Sequence, residues 1–112
     1  MHVSPRILQI NYKLDGTLAE YKEGNQPYAE PIAQTPGLRW KVWLVNEETK
    51  EAGGIYLFDS DAALQGFVNG PIGTEIKSDP TATFKEFDIP LELSAITRAP
   101  IGADIKANPV PR

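Results

Sequence analysis

Tyrosines, lysines and side-chain amides are the polar groups from which this 112-residue sequence must build any site. It has no cysteine and a single histidine, His2. Without thiols there is no thiolate nucleophile or thiolate metal site. One histidine beside the N-terminus offers no paired ligands at metal spacing. The expectation is a site with neither metal nor bound cofactor. Tyr56 follows the pair Gly53-Gly54 in an apolar run. Its phenol, with an ordinary pKa of about 10, is a hydrogen-bond donor to a substrate carbonyl or enolate oxygen and not a base. The alternative is a core tyrosine whose hydroxyl bonds to backbone. Lys41 is the candidate to stabilise a developing oxyanion, or else a residue of a solvated sheet rim, because lysine buries poorly unless paired.

Gln9 and Asn11 lie two residues apart and so share one face of a strand, where they would orient a substrate. Trp40 and Trp43 lie three apart and point to opposite faces. One is expected under helices and the other inside a dimer interface, and either ring is a candidate to line a flat aromatic ligand. If the strands align Lys41, Trp43, Gln9 and Asn11 on one side, the result is a mostly apolar patch with a cation, two amides and an indole. The catalytic candidates are thus Tyr56 and Lys41, and the substrate-binding candidates Gln9, Asn11, Trp40 and Trp43. Gly53-Gly54 stands inside a strand and lacks the strand-to-helix context of a dinucleotide loop. Such a pair marks packing relief beneath a tryptophan or partner strand, or room for a ligand. Asp59 and Asp61 read as helix N-terminal charges, Arg39 as a surface residue, and Glu47, Glu48, Lys50 and Glu51 as a solvated turn.

The elements that must position these groups centre on residues 36–58, which read as a hairpin with a charged turn at 46–50. Ahead of it, residues 6–14 alternate Leu8, Ile10 and Tyr12 against Ile7, Gln9 and Asn11, a first strand. Thr17 is a helix N-cap, but Gly24-Asn25 interrupts the pattern. A second helical piece is expected from Pro27, with Pro31 breaking or kinking it. After the hairpin, Asp59 or Ser60 caps a helix with Ala63, Leu64, Phe67 and Val68 at helical spacing. Residues 72–80 read as a loop or ragged continuation, 81–87 as a fourth strand, and 91–96 as one or two helical turns.

The order strand, helix, strand, strand, helix, strand predicts an α+β fold. It is a ferredoxin-like four-stranded antiparallel sheet with its helices on one face. A chain of this length is one domain, assigned to residues 1–97, burying roughly two-thirds of its unfolded surface. The proline-containing tail, residues 98–112, is expected to be extended, disordered or laid across a neighbour. Large apolar residues on both faces of the hairpin leave one face needing a cover, and a second sheet is the simplest, which predicts a homodimer. A net charge of -4 with scattered signs argues against nucleic acid. No apolar run approaches the roughly 20 residues of a membrane span, and no targeting pattern opens the chain, so a cytoplasmic protein with no membrane partner is expected.

The segments Pro36-Gly37, Trp40-Lys41-Val42-Trp43 and Gly53-Gly54-Ile55-Tyr56-Leu57-Phe58, followed by Asp59-Ser60-Asp61 and an amphipathic helix, resemble the YdhR-type monooxygenases of the dimeric α+β barrel superfamily. The resemblance covers about the first ninety residues and implies a ferredoxin-like protomer whose sheet packs on its partner's. It also implies a monooxygenase acting on a small aromatic or polyketide-like molecule without a cofactor. Such chemistry needs a substrate that supplies its own electrons through a delocalised anion. No strong general base is evident in the sequence. That leaves cyclisation or isomerisation as an alternative activity, and a non-catalytic dimer binding a hydrophobic ligand as an alternative of another class.

Overall fold

The computed structural model describes residues 4–101, in which eight elements follow one another. They are β1 (Arg6–Lys13), α1 (Leu18–Ala33), β2 (Leu38–Asn46), β3 (Glu51–Phe58), α2 (Asp61–Val68), α3 (Pro71–Lys77), β4 (Thr83–Asp88) and α4 (Leu91–Ile96). The strands form one antiparallel sheet in the order β2-β3-β1-β4, the ferredoxin-like arrangement. His2 and residues 102–112 lie outside the described residues.

Register assigns every strand side chain to a face. Leu8 pairs with Tyr56 and Ile10 with Gly54, while Lys41 pairs with Tyr56 and Trp43 with Gly54. This set faces the helices. Leu8, Ile10, Tyr56 and Phe58 form the core there with Ile32 of α1 and Leu64, Phe67 and Val68 of α2. Tyr56, Phe58 and Phe67 bring their ring centroids to 5.0–6.0 Å of one another. The opposite face carries Gln9, Asn11, Trp40, Val42, Ile55 and Leu57.

One irregularity sets the face that the start of β2 presents. The β2 register shifts between Leu38 and Trp40, so that Arg39 is an extra residue with no partner position on β3. Leu38 therefore packs against the core while Trp40, two residues on, faces the other way. Arg39 itself turns outward and pairs with Asp59.

The first helix corrects the sequence expectation. Residues 18–33 form a single α-helix that runs through Gly24, Pro27 and Pro31 instead of two broken pieces. Thr17 and Glu20 close a reciprocal capping box at its start. The carboxylate of Glu47 in the hairpin turn, expected to be merely solvated, accepts from the Leu18 N–H at 2.7 Å. Buried contacts fall near the two ends, at Tyr21 and Ile32, and both prolines are exposed. The carbonyls that Pro27 and Pro31 leave without donors belong to Glu23 and Pro27, themselves exposed residues where water replaces the lost partner. One further correction follows. Residues 71–77 are a separate helix, begun by Pro71 at its first turn, where a loop or ragged continuation was expected. Its Gly73 lies so close to the Phe67 and Val68 carbonyls that a Cβ would stand 2.4 Å from each.

After β4 the chain passes through α4 and returns to the sheet. The Trp40 indole N–H donates to the Pro100 carbonyl at 2.7 Å, Ile101 is buried, and Leu57 beside Trp40 is fully buried. Residues 98–101 thus lie against this chain's own sheet. The rest of that face stays open, with Val42 50% and Phe87 44% exposed, and α4 adds Leu93 at 67% and Ile96 at 73%.

Candidate active site

Between the helix-covered face of the sheet, α1 and α3 lies a cavity of about 220 Å³. Its floor is made by Ile10, Tyr12, Lys41, Trp43, Gly53 and Tyr56 of the sheet. Asn25, Tyr28 and Ile32 of α1 form one wall. With Tyr21 they are spaced i, i+4, i+7 and i+11, which is a single stripe of a helix. Ile72, Glu75 and Ile76 of α3 form the other wall, with Asp79 just beyond. The two walls touch across the rim, where the Tyr28 hydroxyl donates to Glu75 Oε2 at 2.9 Å. That bond raises the Tyr28 pKa.

Lys41 is the chemical centre of this space. Its Nζ sits 3.3 Å from the centroid of the Trp43 ring and 4.6 Å from that of Tyr56. No carboxylate among the described residues lies within salt-bridge distance of it. Burial without a counter-ion penalises the ammonium and lowers the Lys41 pKa to about 7. Near neutral pH about half the population therefore holds a free amine. Lys41 is not the solvated rim residue that lysine's usual preference suggests.

Glycine makes this conformation possible. A Cβ on Gly54 would stand 2.5 Å from Lys41 Cε and 3.5 Å from its Nζ, so the lysine stem lies across a bare stretch of β3. Gly53 has φ +152, and a Cβ there would meet the Ile10 carbonyl oxygen at 1.9 Å. Of the readings open for the glycine pair, relief for a close neighbour holds, and the neighbours are Lys41 and β1.

Two phenols of the sheet, Tyr12 and Tyr56, line the cavity with the amine, and a third, Tyr21, packs against Trp43. Tyr21 donates to the Gly53 carbonyl at 3.2 Å and lies edge-on to Trp43, centroids 6.5 Å apart. The hydroxyl of Tyr12 lies beside that of Tyr21, and desolvation, then that neighbour, pushes the Tyr12 pKa above the ordinary phenol range. Tyr56 is raised mainly by burial. Its ring belongs to the core, yet no described group bonds its hydroxyl, contrary to the backbone-satisfied alternative. All three phenols stay protonated at neutral pH and act as donors.

The sequence candidates thus divide. Tyr56, Lys41 and Trp43 converge on the cavity. Gln9, Asn11 and Trp40 do not reach it, because strand parity and the bulge at Arg39 send them to the opposite face. There Gln9 Nε2 donates to Asn11 Oδ1 at 2.9 Å. The patch of cation, amides and indole on one side does not form. Tyr12, Asn25, Tyr28, Glu75 and Asp79 line the cavity without having been singled out. Tyr12 was legible by parity with Leu8 and Ile10, whereas the others required α1 to be continuous and α3 to be a helix. Asp61 bonds to Arg6 at 2.7 Å beside the N-terminus of α2, which Ser60 caps. Among the described residues no cluster of three or more His, Cys, Asp or Glu side chains is arranged to hold a metal ion. Nor is any helix among them long and apolar enough to cross a membrane.

A four-stranded β2-β3-β1-β4 sheet with a cavity under its helices defines a ferredoxin-like α+β protein. The sequence matches the family described as "Putative mono-oxygenase ydhR" over residues 7–100, and the chain belongs to that family. Solved structures share the fold at low identity. SnoaB, a cofactor-independent oxygenase from Streptomyces nogalater, aligns with TM-score 0.61 at 15% identity, over 78% of this chain and 94% of its own. A protein of unknown function from Nitrosomonas europaea gives 0.59 at 13%, over 80% and 93%. A haem-degrading protein from Mycobacterium tuberculosis gives 0.56 at 21%, over 78% and 93%. No curated protein matches the sequence.

Proposed function

We propose that this protein is a cofactor-independent monooxygenase acting on a small enolisable aromatic molecule, working as a homodimer in the cytoplasm. The observation that carries the reading is Lys41, an amine without a carboxylate partner held over two aromatic rings inside the cavity. Family membership and the oxygenase neighbour support the reaction class. Elsewhere an apolar cavity of about 150 Å³ takes up benzene, so a space of about 220 Å³ suits one substituted ring or a compact bicycle.

The free Lys41 amine removes a proton from a ring methylene activated by a neighbouring carbonyl, supplying the general base missing from the sequence reading. The resulting enolate is held by the ammonium so formed and by the Tyr56 phenol. The carbanion gives its electrons to dioxygen and forms a C–O bond, and the peroxide takes the proton from the Lys41 ammonium to become a hydroperoxide. The amine, free again, takes the remaining C–H proton as the O–O bond cleaves, and the departing hydroxide takes that proton back from Lys41 and leaves as water. The balance is CH₂ + O₂ → C=O + H₂O, with no external reductant.

A second reading, isomerisation, is favoured by the protonated phenols, which can return a proton to the enolate where oxygen would otherwise react. The test is oxygen uptake with a panel of one- and two-ring enolisable aryl ketones, run alongside hydrogen–deuterium exchange at their α-carbon. Uptake in step with ketone formation is expected, with loss of both in Lys41→Met. Exchange without uptake would assign the isomerase, and the absence of both would remove the catalytic reading.

A further inference from the structure

We propose a second chemistry for the same cavity: Lys41 is a carbonyl-capture site that condenses with the aldehyde or reactive ketone of a small planar ligand. The inference goes beyond proton abstraction and requires neither oxygen nor an enolisable substrate. An amine becomes a Schiff-base nucleophile when it is desolvated, lacks a carboxylate partner and can be reached by a carbonyl carbon. Lys41 meets each condition. Its Nζ lines the cavity, apolar and aromatic groups surround it, and no described carboxylate pairs with it. Its lowered pKa supplies the lone pair near neutrality.

The surroundings suit the rest of the reaction. The Nζ attacks the carbonyl carbon to give a carbinolamine, and the departing hydroxyl leaves as water on taking a proton. Tyr56 and Tyr12, both protonated and both lining the cavity, are the donors at hand. The product is an imine, with amine plus carbonyl giving imine plus water and no change of oxidation state. When protonated it keeps a positive charge over the Trp43 face. The carboxylates of Glu75 and Asp79 also line the cavity and disfavour ligands that bring a second anion. The class that fits is therefore an uncharged aryl aldehyde or activated ketone of one ring. The titratable groups that line the cavity with the amine are Tyr56 from β3, Tyr12 from β1, Tyr28 from α1, Glu75 from α3 and Asp79 after it.

The test is anaerobic reductive labelling of the full chain with benzaldehyde and cyanoborohydride, followed by peptide mapping. At pH 7 a lysine with a pKa of about 7 holds on the order of a thousandfold more free amine than an ordinary one. Even after its lower nucleophilicity, Lys41 is expected to label at least about tenfold faster than exposed Lys13, Lys50, Lys77 or Lys85. Its rate should level off above about pH 8 while theirs still climb. Lys41→Arg keeps the cation and should abolish the fast adduct. Labelling confined to the N-terminal amine and exposed lysines, or a fast adduct that persists in Lys41→Arg, would overturn the proposal. The wild-type map decides even if the variant folds poorly. Neither oxygen nor turnover enters the readout, so failure of the oxygenase reading leaves this result unaffected.

Discussion

Lys41 spends stability to hold a free amine. In the unfolded chain it titrates at the ordinary lysine value, and in the folded one at about 7. Between those values the unfolded state binds more protons, so this residue's contribution to stability rises as pH climbs from about 7 toward 10. Below pH 7 its penalty is fully expressed. Lys41→Met should therefore stabilise the protein by a few kcal/mol at pH 6–7, less whatever the cation–π contact supplied, with the advantage shrinking toward pH 10. Urea unfolding at several pH values reads this directly, and a pH-independent difference would contradict the lowered pKa. Tryptophan fluorescence should titrate near pH 7 in the wild type, since the ammonium stands on the Trp43 ring, and should be flat there in Lys41→Met. Gly54→Ala tests how the amine is placed. The new Cβ collides with Lys41 Cε, so the stem is pushed outward and the fluorescence midpoint should move well above 7. A midpoint left at 7 would mean that Gly54 does not position the lysine.

At the scale of elements, α1 matters most because it spans the cavity while anchored mainly near its ends. Capping at Thr17, the Glu47 contact, and burial of Tyr21 and Ile32 hold it in place, so its middle turns can offer Asn25 and Tyr28 to a ligand. Proline inside a helix is locally unfavourable by about 3 kcal/mol, part of which is recovered through a less flexible unfolded chain. Pro27→Ala restores an N–H toward the Glu23 carbonyl and should raise stability by about 1–2 kcal/mol. Chemical denaturation measures it, and destabilisation would show that the proline ring packs in a way its exposure does not suggest. A break was the local expectation here, since Gly24, Pro27 and Pro31 each oppose a helix. What local propensity omits is that all three lie on the solvated side and that both ends are tied to the sheet.

For the molecule as a whole, the open face asks for a cover. Val42 and Phe87 are about half exposed there, and α4 presents Leu93 and Ile96 beside it. A patch of this kind suits a second copy of the sheet, the arrangement that names the superfamily. Val42→Asp, which places a charge among the exposed apolar groups of that face, on edge strand β2, should shift the protein from dimer to monomer. Light scattering after size exclusion is the readout, and a wild type that is already monomeric would remove the homodimer from the proposal.

Local signals determined the strands and α2: side-chain alternation for β1 and the hairpin, β-branched and aromatic content for β4, and a cap followed by helical spacing for α2. The strand pattern also determined that Trp40 and Trp43 part company, and that Lys41 shares a face with Trp43. Only tertiary structure decided which face is covered by helices. It also decided that Arg39 bulges out of register, and that Tyr12, Tyr28 and Glu75 from three different elements line one cavity with Lys41. The physical reason is that a shifted pKa and a cavity arise from groups distant in sequence, whose desolvation exists only once β1, β3, α1 and α3 have closed around them.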